Sequence, residues 1–161
     1  MTKVISLRLR AVAACVVTGV LALASSTMAA AFTIVFPAGY ACEFALGVDI
    51  SGGNSHMKEF KNGRIIIAGT GSALTFTNLA TTDTFSLNSN GFSEHLTTNP
   101  DGTQTVVTTG HNVIILFPTD TPPGPSTTLY VGRVVYTVDT LGNYYLQGSS
   151  GNNADICAAL S

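Results

Sequence analysis

The chain has 161 residues, of which 10% are charged and 8% aromatic, with no tryptophan and a net charge of −2 at pH 7. A chain with seven lysines and arginines in total has too few cations to neutralise a run of phosphates. This argues against nucleic acid and anionic membrane surfaces as partners. Many β-branched residues combined with Thr, Ser, Asn and Gly are typical of an all-β extracellular domain.

The first thirty residues have the three-part pattern of a secretory signal peptide. Lys3, Arg8 and Arg10 precede an apolar run over residues 11–24, and small residues at 25–31 allow cleavage after position 29, 30 or 31. Because the apolar run is shorter than the ~20 residues that span a bilayer, we expect a cleavable signal helix at 1–30 and no stable membrane anchor.

Cleavage would leave residues 31–161 as a single β-sandwich domain, secreted to the extracellular space. Four cations and nine acids remain in this part of the chain, which gives it a net charge of −5. The mature domain is therefore acidic, which strengthens the argument against nucleic acid.

From residue 32 onward, short apolar or alternating runs are separated by turn residues about every ten positions, a pattern typical of a sandwich or barrel. Strict alternation over residues 42–50 predicts a half-buried strand with Cys42, Phe44 and Leu46 on its inner face. Further strands are predicted at residues 32–36, 56–61, 64–68, 73–79, 84–87, 93–98, 103–109, 113–117, 129–139 and 144–147.

Two hairpin turns can be assigned from their Asn and Gly residues. Residues 62–63, Asn-Gly, favour a two-residue type I′ turn, which would pair Phe60 with Ile65. Residues 99–102, Asn-Pro-Asp-Gly, favour a type I turn followed by a bulge with the glycine in the left-handed conformation.

The last third of the chain contains a loop and a C-terminal helical turn. The proline-rich residues 118–125 are predicted as a loop, because proline cannot complete a strand ladder. Residues 149–153, Ser-Ser-Gly-Asn-Asn, are predicted as a linker, and residues 154–160 as one or two helical turns behind an Asn or Asp cap. We therefore expect an antiparallel β-sandwich that ends in a short helical turn.

The cysteines predict a disulfide. Cys15 lies within the predicted signal peptide, so only Cys42 and Cys157 remain in the mature chain. Two cysteines in an exported domain pair with each other in the oxidising compartment. Cys42 is also in phase with the apolar face of its predicted strand, which argues against a reactive thiol.

Arg133 is the polar residue whose position is hardest to explain. It lies mid-strand and in phase with Val131 and Val135, so a covered guanidinium would need a carboxylate partner. Glu43, on the polar side of its strand, is the candidate. An ion pair on a partly buried face is our first interpretation, and a ligand-binding arginine is the second.

Motifs for catalysis and for cofactors are missing from the sequence. His56, His95 and His111 show no metal-ligand spacing. Glu94 and His95 are neighbours on a predicted strand, so their side chains point to opposite faces and cannot act as an acid/base pair. With no Gly-x-Ser-x-Gly motif, EF-hand spacing or phosphate loop, we expect no catalytic residue, cofactor or metal.

Four stretches carry a resemblance to other proteins: residues 36–44, 116–120, 129–139 and 155–160. In these stretches the chain resembles a group of small secreted proteins of unassigned function, of the kind found in actinobacteria. The resemblance implies a bacterial exported protein, and it carries no known catalytic or binding residue.

These observations together predict a secreted, non-enzymatic binding or surface-interaction protein with an extracellular or cell-surface partner. A small extracellular hydrolase is the alternative. A protease inhibitor that presents the loop 118–125 is the second alternative. The sequence predicts neither the ligand nor the oligomeric state.

Overall fold

Ten strands and one short helix form the part of the chain that the computed structural model describes, residues 32–88 and 90–161. The predicted signal peptide lies outside these residues. The elements are β1 Phe32–Phe36, β2 Leu46–Ser51, β3 Ser55–Glu59, β4 Ile65–Gly69, β5 Ala73–Asn78, β6 Thr84–Leu87, β7 Phe92–Thr98, β8 Gln104–Leu116, β9 Ser126–Val138, β10 Tyr144–Asp155 and α1 Ile156–Ala159.

The strands form two antiparallel sheets that pack together. The smaller sheet has the order β1-β2-β5-β6, and the larger has the order β10-β9-β8-β7-β4-β3. The predicted fold class, an antiparallel β-sandwich with a short C-terminal helix, is confirmed. Within the described ranges, no helix is long and apolar enough to cross a membrane.

The core between the sheets follows from the alternation of the strands. Val48 of β2 pairs with Phe76 of β5, and both are buried. They belong to one cluster with Val113 and Leu129 of the larger sheet. Full burial of each such side chain stabilises the fold by about 1.5 to 3 kcal/mol, so this cluster holds the two layers together.

The predicted C-terminal helical turn is also confirmed. Asp155 caps α1 by accepting a hydrogen bond from the Ala158 N–H at 3.0 Å. Beyond the helix, Asn78 Nδ2 donates to the Leu160 carbonyl at 2.9 Å, and the Leu160 side chain is buried. This segment therefore closes one end of the core.

The larger sheet bends sharply along a row of glycines. Gly110, Gly132 and Gly151 are direct cross-strand neighbours in β8, β9 and β10, with φ values of 92°, 144° and 101°. A Cβ atom on Gly132 would lie 2.2 Å from the carbonyl oxygen of Ser150. Only glycine permits this backbone conformation and this close approach, so the row acts as a corner in the sheet.

The bend brings the two halves of one sheet face together. Val106 and Ile114 lie on either side of the row in β8, and a straight strand would separate them by about 26 Å. Both nevertheless belong to one buried cluster. After β8, Asp120 accepts a hydrogen bond from the Tyr144 N–H at the start of β10, 2.7 Å away. The larger sheet thus encloses a concave inner face.

Several predicted strand boundaries are wrong, and the strands predicted at 103–109 and 113–117 are one continuous strand, β8. Residues 41–44 form a bend closed by the Gly39 N–H and the Cys42 carbonyl at 2.8 Å, so β2 begins at Leu46. β10 runs through the predicted linker 149–153 and pairs with β9 along it. These positions are exposed on an edge strand, which therefore needs no apolar alternation.

The predicted register of the first hairpin is wrong by one residue. Phe60 N–H donates to the Arg64 carbonyl at 2.9 Å, and Glu59 pairs with Ile65. The loop has three residues instead of two, and Gly63 takes the left-handed conformation with φ 77°.

The second predicted turn is confirmed. Asn99 N–H donates to the Thr103 carbonyl at 2.8 Å, and Gly102 has φ 85°. The two hairpins therefore use the same kind of glycine-assisted loop.

Candidate functional site

The predicted disulfide is present and has a structural role. Cys42 and Cys157 are bonded with their Cα atoms 5.6 Å apart, and Cys42 is fully buried. Beside it, Thr127 Oγ1 donates to the Ala41 carbonyl at 2.8 Å. The bond thus joins the bend before β2 to helix α1, inside the core between the sheets.

The structure does not bring Arg133 and Glu43 together. Arg133 is exposed on the outer face of the bent sheet, beside a shallow groove that Gln147 and Ser150 also line. Glu43 is exposed in the bend before β2. No ion pair between them occurs in the described part of the chain. The guanidinium remains in water, so it does not need the carboxylate partner that we predicted.

The concave face of the larger sheet holds the strongest candidate site, a pocket of about 540 Å³. Strands β7, β8 and β9, the loop after β8 and the turn between β9 and β10 line it. Its polar side chains include Glu94, Asn112, Asp120, Tyr136 and Tyr144. Another pocket, of about 480 Å³, opens between the sheets, and the one titratable side chain in its described lining is His111, which also lines the concave pocket. The concave pocket therefore has more titratable groups that could interact with a ligand.

Glu94 is an acidic residue on an otherwise apolar strand face. It lies on β7 in phase with Phe92 and Leu96, and its register partner on β8 is Thr108. Within the described residues its carboxyl group makes no hydrogen bond and no ion pair. Burial raises the pKa of Glu94 above its usual value. The pocket thus contains a half-buried carboxyl group without a partner.

Two tyrosines lie close to this carboxyl group. The rings of Tyr136 and Tyr144 stack with their centroids 5.1 Å apart. Burial raises the pKa of both phenols, and the charge of Glu94 raises them further. The hydroxyl groups therefore remain protonated at neutral pH. Neither hydroxyl has a hydrogen-bond partner among the described residues.

Asp120 fixes the wall of the pocket. Its two carboxylate oxygens accept hydrogen bonds from the Phe117 N–H at 2.6 Å and from the Tyr144 N–H at 2.7 Å. Thr121 adds two backbone bonds, because its N–H donates to the Tyr144 carbonyl and its carbonyl accepts from the Leu146 N–H, each at 2.7 Å. The loop is thereby attached to β10, and the pocket is preformed.

Among the residues that the structure describes, two buried polar groups near the pocket have no hydrogen-bond partner. They are Asn112 Nδ2 and Thr108 Oγ1. Asn112 lines the pocket and is 8% exposed, whereas Thr108 is fully buried. Each unmade hydrogen bond costs about 1 to 3 kcal/mol. Buried groups of this kind are rare in native proteins, so each needs an explanation, such as a water, an ion or a ligand that pairs with it.

We expect Thr108→Val to raise the free energy of unfolding by about 1 kcal/mol, because valine has the same shape and no hydroxyl group to leave unpaired. Thr127→Val is the matched control, since Thr127 is also fully buried but donates to the Ala41 carbonyl. It should lower the free energy by about 1 to 2 kcal/mol. Urea unfolding of both variants measures the difference, and an equal loss in both would show that the Thr108 hydroxyl is satisfied.

Of the residues considered in the sequence as catalytic candidates, Glu94 and His111 line the pocket. Arg133 lies outside the pocket, and His95 is on the strand face opposite Glu94. In the ranges that the structure describes, no three His, Cys, Asp or Glu side chains converge on a metal position. A carboxyl group, two phenols and an amide among aromatic side chains can instead orient a small molecule.

Sequence reasoning missed this site because it considered Glu94 only as a partner for His95. The informative signal was the alternation in residues 92–96, which places an acid in phase with two apolar residues. Comparison of the chain with known protein families, with curated proteins and with solved structures finds no match.

Proposed function

We propose that this chain is a secreted, non-enzymatic binding protein that holds a small, partly apolar molecule in the concave pocket. One observation carries the proposal: Glu94 and Asn112, two polar side chains that have no partner within the described ranges, line the same pocket of about 540 Å³. This volume lies within the range of about 300 to 1,000 Å³ that is typical of small-molecule sites.

The rigidity of the pocket supports this function. The backbone bonds of Asp120 and Thr121 hold the loop in place, and the glycine row fixes the curvature of the sheet. A preformed site loses little conformational entropy when a ligand binds, and more of the contact energy therefore appears as affinity. Secretion follows from the signal peptide predicted at residues 1–30.

Binding agrees better with the structure than the two alternatives do. A hydrolase would need a nucleophile and a base within hydrogen-bond reach, and no hydrogen bond among the described residues joins such a pair in the pocket. An inhibitory loop would need free backbone groups for the protease, whereas the N–H and carbonyl of Thr121 both pair with β10.

Substitution of Asn112 tests the proposed function. Leucine has nearly the shape of asparagine, so Asn112→Leu removes the unpaired amide, and we expect the melting temperature to rise. Binding of small aromatic amines, alcohols and amides, screened by saturation-transfer NMR, should weaken by about tenfold or more. A rise in stability together with a loss of binding would show that the Asn112 amide destabilises the free protein and contributes to ligand binding.

Asn78→Leu is the matched control for this experiment. Asn78 is also buried, but it donates to the Leu160 carbonyl at 2.9 Å and accepts from the Ala80 N–H at 3.0 Å, and it does not line the pocket. Its loss should lower stability and leave the affinity of the folded protein unchanged. A wild-type protein that binds no fragment, or an Asn112→Leu variant that binds all of them equally well, would contradict the proposal.

A further inference from the structure

We propose that the ligand of the concave pocket is a small organic cation whose ammonium group lies between Glu94 and the rings of Tyr136 and Tyr144. The inference rests on the proposed function, which it makes more specific. It follows from the charge of the pocket, from the hydrogen bonding of its two acids, from its aromatic walls and from the unpaired amide of Asn112.

The concave pocket carries negative charge. Its described lining includes the acids Glu94 and Asp120 but no lysine or arginine. Its single basic side chain, His111, is exposed. The four cations that follow the predicted signal peptide are elsewhere: Arg133 is on the outer face of the larger sheet, and the other three are in the β3–β4 hairpin. A concave site of one charge sign concentrates ligands of the opposite sign.

The two acids have different roles. Asp120 uses both oxygens to accept backbone hydrogen bonds, so its charge is already compensated by N–H dipoles. Glu94 has no such bonds within the described residues. A half-buried carboxylate is stabilised when a counter-ion approaches it, and an ammonium group supplies both a positive charge and N–H or C–H donors.

Aromatic rings complete a cation site. The stacked rings of Tyr136 and Tyr144 lie beside Glu94, and Phe92 and Phe117 also line the pocket. The face of an aromatic ring is negative, so rings attract organic cations, and aromatic cages bind alkylammonium groups in this way. The walls are therefore compatible with the charge as well as with the apolar part of the ligand.

Asn112 specifies a second feature of the ligand. Its Nδ2 group is a donor without an acceptor. A ligand oxygen, in a carbonyl, ether or hydroxyl group, would satisfy it. The chemistry of the pocket thus favours an ammonium compound that also carries an oxygen acceptor.

A matched pair of probes tests the charge requirement. 2-Phenoxyethylamine carries an ammonium group and an ether oxygen, and 2-phenoxyethanol has nearly the same shape without the charge. Isothermal titration at pH 8 should show that the amine binds about tenfold or more tightly than the alcohol, as expected for a hydrogen bond to a charged group. The titrations use the whole exported chain.

The variant Glu94→Gln assigns the effect to one residue. It should fold, because an amide replaces a half-buried carboxyl group of the same shape. It should weaken amine binding by about tenfold or more and change alcohol binding little. Glu43→Gln is the matched control, since it makes the same change in net charge at an exposed position outside the pocket. It should leave the affinity for both probes unchanged.

The pH dependence provides a second readout. Burial raises the pKa of Glu94 above its usual value, and protonated Glu94 has no charge, so amine affinity should fall as the pH is lowered from 8 through that raised pKa. The other titratable groups that face the site are Asp120, Tyr136, Tyr144 and His111, of which His111 would also repel a cation in its protonated form. His111→Gln should therefore keep most of the pH dependence, and Glu94→Gln should lose most of it.

The outcomes separate this inference from the proposed function. Tighter binding of the amine that depends on Glu94 supports both. Equal affinity for amine and alcohol, or a fragment screen whose hits carry no ammonium group, overturns the cation and leaves the binding function in place. Failure of every fragment to bind overturns both.

Discussion

Loss of the Cys42–Cys157 disulfide is expected to lower the free energy of unfolding by about 4 to 5 kcal/mol. The bond joins cysteines 115 residues apart, and it therefore closes a loop that includes almost all of the two sheets. In the chain-entropy model, this cross-link restricts the unfolded chain strongly because the loop is long. An effect of this size is a large fraction of the 5 to 15 kcal/mol that stabilises a typical domain.

Urea unfolding of the chain that follows the predicted signal peptide, with and without a reductant, measures this contribution. Reduction of the wild type changes no other side chain, whereas Cys42→Ala with Cys157→Ala also removes buried sulfur. Both should lose similar stability, and the reductant should have no effect on the double variant. A loss below about 1 kcal/mol on reduction would contradict the chain-entropy estimate and would show that packing around Ile156 and Leu160 holds the helix.

The disulfide was predictable from sequence because its evidence is local and compositional. A predicted export signal, the two cysteines that follow it and an apolar phase at Cys42 sufficed, although residues 41–44 form a bend and not a strand. The turn at residues 99–102 was predictable for a similar reason, since a proline and a glycine at fixed positions define its backbone. The loop 118–125 and the Asp155 cap also depend on short-range chemistry.

Features that depend on neighbouring strands were not predictable in this way. Residues 149–153 have the composition of a linker, yet they form a strand because β9 provides a partner for each position. The register of the Asn62–Gly63 hairpin was wrong because a two-residue and a three-residue loop both place a glycine at that turn. One extra loop residue shifts the pairing by one position, and the sequence does not distinguish the two.

The candidate site was not predictable from the sequence because it also depends on neighbouring strands. Glu94 and Asn112 lie on different strands, and they line one pocket only because the sheet bends at the glycine row. Alternation shows which face a residue occupies, but not whether that face is flat or concave. Without the bend, Arg133 and Glu94 look equally unusual as charges among apolar neighbours. The bend makes one face of the larger sheet concave, so that Glu94 lies in the pocket and Arg133 lies on the opposite, outer face.

Gly132→Ala is expected to lower the free energy of unfolding by about 2 to 6 kcal/mol, which combines backbone strain with overpacking. The added Cβ would lie 2.2 Å from the Ser150 carbonyl oxygen, a backbone atom that cannot move away without breaking the β9–β10 pairing. The φ of 144° adds strain, because residues with a side chain rarely adopt it. Thermal and urea unfolding measure the loss.

Gly148→Ala is the matched control, because a Cβ at Gly148 meets no atom within 4 Å. It should change stability by no more than about 1 kcal/mol. The link to function is tested on any Gly132→Ala protein that remains folded in the cold. If the bend forms the pocket, that protein should lose fragment binding although Gly132 does not line the pocket, and Gly148→Ala should retain it. Unchanged binding in Gly132→Ala would mean that the curvature has another origin.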